Sequence, residues 1–154
     1  MNLSPHFTLK EFTASSTAAR LDIDNGLPER LLPNAYRTAS MLERIRMHLS
    51  SLAVREVPII ITSGYRCQEL NTVIGSRPTS DHVQGFAVDF KAPAFGTPLV
   101  ICKALEPVLH VLDIGQLILE YDSWVHASAK SPLKDINRVL TINKSGVTPG
   151  IMEA

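Results

Sequence analysis

The chain has 154 residues, 45% of them hydrophobic, which is enough apolar surface for one core without disulfides or oligomerisation. Its 15 basic and 15 acidic residues cancel and neither sign forms a long block, excluding the electrostatic footprint of a nucleic-acid or anionic-membrane binder. No window approaches the ~18 apolar residues that span a bilayer, and Met1 to Phe7 lacks the basic and apolar regions of a secretory signal.

One compact domain over residues 1–154 is therefore expected, monomeric and synthesised in the cytoplasm. Cys67 and Cys102 stand in no CxxC or zinc-ribbon spacing, which favours buried reduced thiols over a bridge.

In chain order, Thr8 to Ala14 reads as a short helix, with Thr8 as N-cap and Glu11 completing a capping box. Ser15-Ser16-Thr17 and the stretch from Asp22 to Gly26 read as connectors. From Pro28 to about Leu52, Leu31, Leu32, Ala35, Ala39, Leu42, Ile45 and Leu49 recur at helical steps, with Pro33 as a candidate interruption of the first turns. Val57 to Thr62 is a β-branched run ending at Ser63-Gly64, hence a buried strand delivering Tyr65 and Arg66 to a loop.

Gln68 to Ile74 predicts two helical turns stopped by Gly75, and Ser76 to Gln84 a polar loop carrying His82. Phe86 to Lys91 alternates as a strand. A second long helix starts at Thr97 and keeps its period through Leu112, with Pro107 bending it or marking a boundary. Three closely spaced strands follow, Gly115 to Glu120, Trp124 to Ser128 and Asn137 to Asn143. Helices first and strands last give an α+β fold: a small, mostly antiparallel sheet, helices on one face, the site on the other.

The chemistry concentrates in His82-Val83-Gln84-Gly85-Phe86-Ala87-Val88-Asp89 and the later Trp124-Val125-His126. Two imidazoles and one carboxylate are the set a catalytic zinc takes when its fourth position stays open for water. Glu120 is a carboxylate to spare. Strand parity puts Asp89 opposite the core-facing Val88 and Phe90, and His126 on one face with Trp124 and Ser128. A three-residue loop at Tyr121-Asp122-Ser123 would pair Glu120 with Trp124 and set it diagonal to His126; a two-residue loop would send Glu120 to the opposite face.

Ser80-x-His82-x-x-Gly85-x-Ala87-x-Asp89, Trp124-x-His126 and the upstream Ser63-Gly64-Tyr65-Arg66 together resemble the zinc D-alanyl-D-alanine metallopeptidases. That group also includes phage endolysins and the zinc fold of the hedgehog signalling domain. The opening Leu3 to Leu9 and closing Arg138 to Ile142 resemble its short phage and prophage members. The resemblance implies one zinc held by His82, Asp89 and His126, with Glu120 as general base. It further implies Arg66 near the scissile carbonyl, Ser80 in contact with substrate, and peptidoglycan stem peptides as that substrate. Other relatives carry the acid three residues before the last histidine, where this chain has Ser123, which leaves Asp122 as a second candidate base.

Trp124 can form a pocket wall as well as pack, and Asp81 can orient His82 or simply shape a turn. His6, His48 and His110 lack ligand-like companions. The expected function is a zinc peptidase on the bacterial cell wall, of phage-lysin type. A silent zinc-stabilised binding or virion module and a cytoplasmic D-Ala-D-Ala dipeptidase are the alternatives.

Overall fold

The computed structural model describes residues 1–153. The first helix, α1 (Leu9–Thr13), carries the expected capping box, with Thr8 and Glu11 satisfying each other's backbone donors. The Ser15 region departs from expectation: Ser15 caps a further short helix, α2 (Ser16–Leu21), by accepting from Ala18 N–H at 3.1 Å. Its six residues are too few for a readable apolar period.

A 3₁₀ turn (Glu29–Leu31) leads into α3 (Leu32–Ala53), whose stripe Ala35, Ala39, Leu42, Ile45 and Leu49 is buried throughout. Pro33 does not interrupt the helix. It lies in the first turn, where its missing N–H would have had no intrahelical partner. Helix α4 (Gln68–Ile74) has the expected bounds and closes on Gly75 at φ +82°. Helix α5 (Pro98–Leu105) is shorter than its apolar period suggests: Pro107 turns the chain into a 3₁₀ segment (Glu106–Val108) instead of continuing to Leu112.

Six strands form one sheet in the order β1-β2-β4-β3-β5-β6: β1 (Ile60–Ser63), β2 (Ala87–Lys91), β3 (Gln116–Glu120), β4 (Trp124–Ser128), β5 (Val139–Asn143) and β6 (Gly146–Pro149). All neighbours are antiparallel except β3 and β5. β1 starts three residues after the expected Val57, beyond Pro58, which has no N–H to give a ladder. The short, exposed β6 lies beyond the last strand expected from the sequence, and its glycine and proline weaken any strand signal.

Alternate residues of the central strands, Val88 and Phe90, Leu117 and Leu119, Val125 and Ala127, share one hydrophobic cluster with the α3 stripe and with Ile101 and Leu105 of α5. Burying each large side chain of this set is worth roughly 1.5–3 kcal/mol. The opposite parity carries Asp89, Ile118, Glu120 and His126. Among the described residues no helix is long and apolar enough to cross a membrane.

Candidate metal centre

His82, Asp89 and His126 are all buried, and one donor atom from each lies within 4.8 Å of the others. Strand pairing supplies half of this convergence, because β2 and β4 set Asp89 directly opposite His126. Asp89 Oδ1 is 2.9 Å from His126 Nδ1 and 3.3 Å from His82 Nε2. The two imidazole rings meet edge-on, with centroids 5.1 Å apart.

His82 comes from the loop before β2 and is oriented by the backbone. Its Nδ1–H donates to the Gly64 carbonyl at 2.7 Å, which fixes the tautomer and leaves the Nε2 lone pair aimed at Asp89 and His126. Asp81 does not orient the ring. It accepts from Ser128 Oγ at 2.7 Å, tying the loop to β4. The orienting carbonyl was not foreseeable from residue types, because any residue at position 64 has one.

Charge follows the same geometry. Burial pushes the His82 pKa down and favours the neutral imidazole a metal needs. Burial opposes charge on His126 too, but the hydrogen bond and charge of Asp89 outweigh it and raise its pKa. Burial alone would raise the Asp89 pKa; the paired histidines overcome it and hold the carboxyl well below the ordinary range. Donors bound to zinc at 2.0–2.2 Å in a tetrahedron sit about 3.4 Å from one another. The two spacings to Asp89 are close to that and the histidine donors lie within 4.8 Å of each other, and two nitrogens with one carboxylate oxygen are the right chemistry, so the trio fits a zinc ion with one position left over.

Glu120 pairs with Trp124 and Ile118 with His126, so the loop is the three-residue kind and Glu120 is on the site face. Its Oε1 is 3.8 Å from His126 Nδ1. Burial raises its pKa, while the neighbouring His126 charge pulls the other way. Asp122, the second candidate base, is exposed at the hairpin tip and does not border this cavity.

Arg66 Nη2 donates to Asp89 Oδ2 at 2.9 Å and its Nε to Ser63 Oγ at 3.0 Å. Ser80 Oγ accepts from His82 N–H at 3.3 Å. Trp124 Nε1 is buried, and hydrogen bonding from this side chain favours the charged form of the neighbouring Glu120. These side chains surround a cavity of about 350 Å³ that also takes in Ile74, Gly75 and Ser76 from the end of α4, and Tyr121. Sequence reasoning missed Tyr121 and the α4 end, neither of which carries a metal-binding signature. His6 is remote from this cavity, bonded to Glu43, as is His48, which lies against the Ala104 carbonyl.

Residues 5–128, a span that includes all three candidate ligands and Glu120, match the model of the peptidase M15 family. The chain belongs to that family. Membership implies a zinc-dependent peptidase, and the buried trio is where a metal can be held. No curated protein matches the chain.

Proposed function

We propose that this M15 peptidase hydrolyses stem peptides of peptidoglycan as a phage-type lysin acting, as a monomer, on the bacterial cell wall. The observation that carries the reading is the convergence of His82 Nε2, Asp89 Oδ1 and His126 Nδ1 beside a carboxylate, Glu120, that stands outside the trio in the same cavity. In this reading those three residues hold the zinc. The metal supplies a Lewis acid and lowers the pKa of a bound water to about 7.

The protein's own groups do the rest. Glu120 takes a proton from the attacking water as its oxygen bonds to the scissile carbonyl carbon, then gives it to the amine nitrogen as the C–N bond breaks. A desolvated glutamate with a raised pKa suits both halves of that transfer. Arg66 is the cation bordering the cavity beside the developing oxyanion. Ser80 and Trp124 border the same space, where the Ser80 hydroxyl offers a hydrogen bond to a peptide backbone and Trp124 a wall.

Purified sacculi incubated with the zinc-loaded protein should release peptides, and a chelator should stop the release. Mass spectrometry of the products reports which bond is cut. Zinc-loaded protein that releases nothing from sacculi or soluble muropeptides would leave a metal-stabilised binding module instead.

A further inference from the structure

Of the three candidate ligands, only His82 does not sit on a strand. The β2–β4 pairing sets Asp89 opposite His126, whereas His82 belongs to a tight turn from Asp81 to Phe86. That turn is closed by Phe86 N–H and Gln84 N–H, which donate to the Asp81 carbonyl at 3.0 and 3.2 Å, and by Gly85 at φ +74°. The separation of His82 from His126 therefore depends on how the turn is fastened to β4. The ladder fastens its far end, where Ala129 N–H donates to the Phe86 carbonyl at 2.9 Å. Three further bonds, from Asn34 to the Gln84 carbonyl, Thr38 to the Gly85 carbonyl and Arg66 N–H to the His82 carbonyl, run to α3 and to the loop after β1 instead.

Asp81 fastens the near end. Its Oδ2 accepts from Ser128 Oγ at 2.7 Å. Ser128 is fully buried and stands two residues beyond His126 on β4, hence on the same face of the sheet. Its oxygen also accepts from Lys130 N–H at 3.1 Å, so the single hydroxyl hydrogen is left for Asp81. A buried hydroxyl is destabilising unless it is paired, and a bond to a carboxylate is about twice as strong as one to a neutral acceptor. The exposed Lys130 ammonium lies 4.0 Å from Asp81 Oδ1 and offsets its charge.

We infer that Asp81 and Ser128 are positioning residues for the metal centre: the hydrogen bond between them sets how far the His82 turn stands from β4, and so sets the spacing of the two imidazole donors. Both act through the backbone. Asp81 is joined directly to His82, and Ser128 follows His126 by two residues along a strand that is paired on both sides. Without the bond, the turn is free to pivot about its far end and carry His82 away from Asp89 and His126. The inference rests on the trio holding a metal and is independent of the substrate.

Zinc competition with a chromogenic chelator tests it. Ser128→Ala and Asp81→Ala should each weaken zinc binding by roughly tenfold, the lower end of what outer partners of metal ligands contribute. The double variant should lose no more than either single one, because the same bond is missing in all three. Asp81→Asn keeps an acceptor oxygen and should keep most of the affinity. Urea unfolding in chelator separates this role from a purely structural one. If the variants unfold at lower urea while the folded protein keeps the wild-type zinc affinity, the inference is overturned, as it is if the two single losses add. Should Ser128→Ala not fold, Asp81→Asn and Asp81→Ala carry the test, and equal zinc affinity in those two would also overturn it. Wild-type affinity in every variant defeats the tie alone, whereas a wild-type protein that binds no zinc defeats the metal centre and the tie together.

Discussion

Arg66 Nη2 and Asp89 Oδ2 are joined at 2.9 Å, while the other oxygen of Asp89 faces His126 and His82. The two carboxylate oxygens thus have separate partners: the guanidinium holds one and aims the other. Both side chains are about nine-tenths buried, so the pair is shielded from salt and water. Such outer partners of metal ligands typically govern affinity by 10–100-fold. Arg66→Ala should therefore weaken zinc binding by roughly that factor, read by competition with a chromogenic chelator. Arg66→Lys should recover part of it, because a lysine restores the charge but not the planar fork that also reaches Ser63. Unchanged zinc affinity with reduced kcat would place Arg66 on the substrate alone.

Glu120→Gln should keep zinc and lower kcat by about 10²–10⁴, the usual contribution of a general base. A second effect follows from linkage. Burial raises the folded-state pKa of Glu120 above 4.5, so between the unfolded and folded values the native state holds the proton more tightly. That contribution is present below the unfolded pKa and is lost as pH rises through the folded one. In chelator at a pH above the folded-state pKa, where Glu120 carries its charge, Glu120→Gln should melt at a higher temperature than the wild type. An equal or lower Tm would show that burial does not strain this carboxylate.

What the sequence made legible is what strand periodicity controls. Parity put Asp89 away from the core-facing Val88 and Phe90 and grouped His126 with Trp124 and Ser128, the β2–β4 register joined the two faces, and the length of the 121–123 loop decided where Glu120 stood. The parts that stayed hidden depend on backbone or on long-range packing. The Gly64 carbonyl has no side-chain signature, β5 pairs in parallel with β3 because the chain leaving β4 crosses past β3, and the short helix after Ser15 is set by a cap more than by a pattern. Arg66 was expected at the substrate, whereas its ties to Asp89 and Ser63 come from a loop path that residue types do not encode.

The thiols should differ sharply. Cys102 is fully enclosed in the core, and burial pushes its pKa up to about 12. Cys67 is part-exposed, where its Sγ caps α4 by accepting from Leu70 N–H at 3.4 Å. Native protein at mild alkaline pH should give at most one equivalent of thiol with a disulfide reagent, and denaturation should release the second. Two fast equivalents from native protein would contradict the packing around Cys102.

Gly64 joins the fold to the centre more tightly than any other glycine. A Cβ there would stand 2.2 Å from the Phe12 carbonyl oxygen and 2.8 Å from the Phe12 ring, both fixed by α1 and the core. The same residue's carbonyl holds His82 Nδ1, and the next N–H, of Tyr65, donates to Phe12 O at 2.8 Å. Asn25 stitches the segment further, donating to the Thr13 and Tyr65 carbonyls and accepting from Cys67 N–H. Room for a methyl can come only by moving this loop, and overpacking of this kind costs about 1–3 kcal/mol. Gly64→Ala should lose that much in urea unfolding with chelator present, and should also bind zinc more weakly because His82 turns with its carbonyl partner. Gly75→Ala is the control: its left-handed backbone is strained by a side chain, but the space around it is open. It should lose stability without any loss of zinc affinity, and equal zinc loss in both variants would detach the Gly64 carbonyl from the role assigned to it.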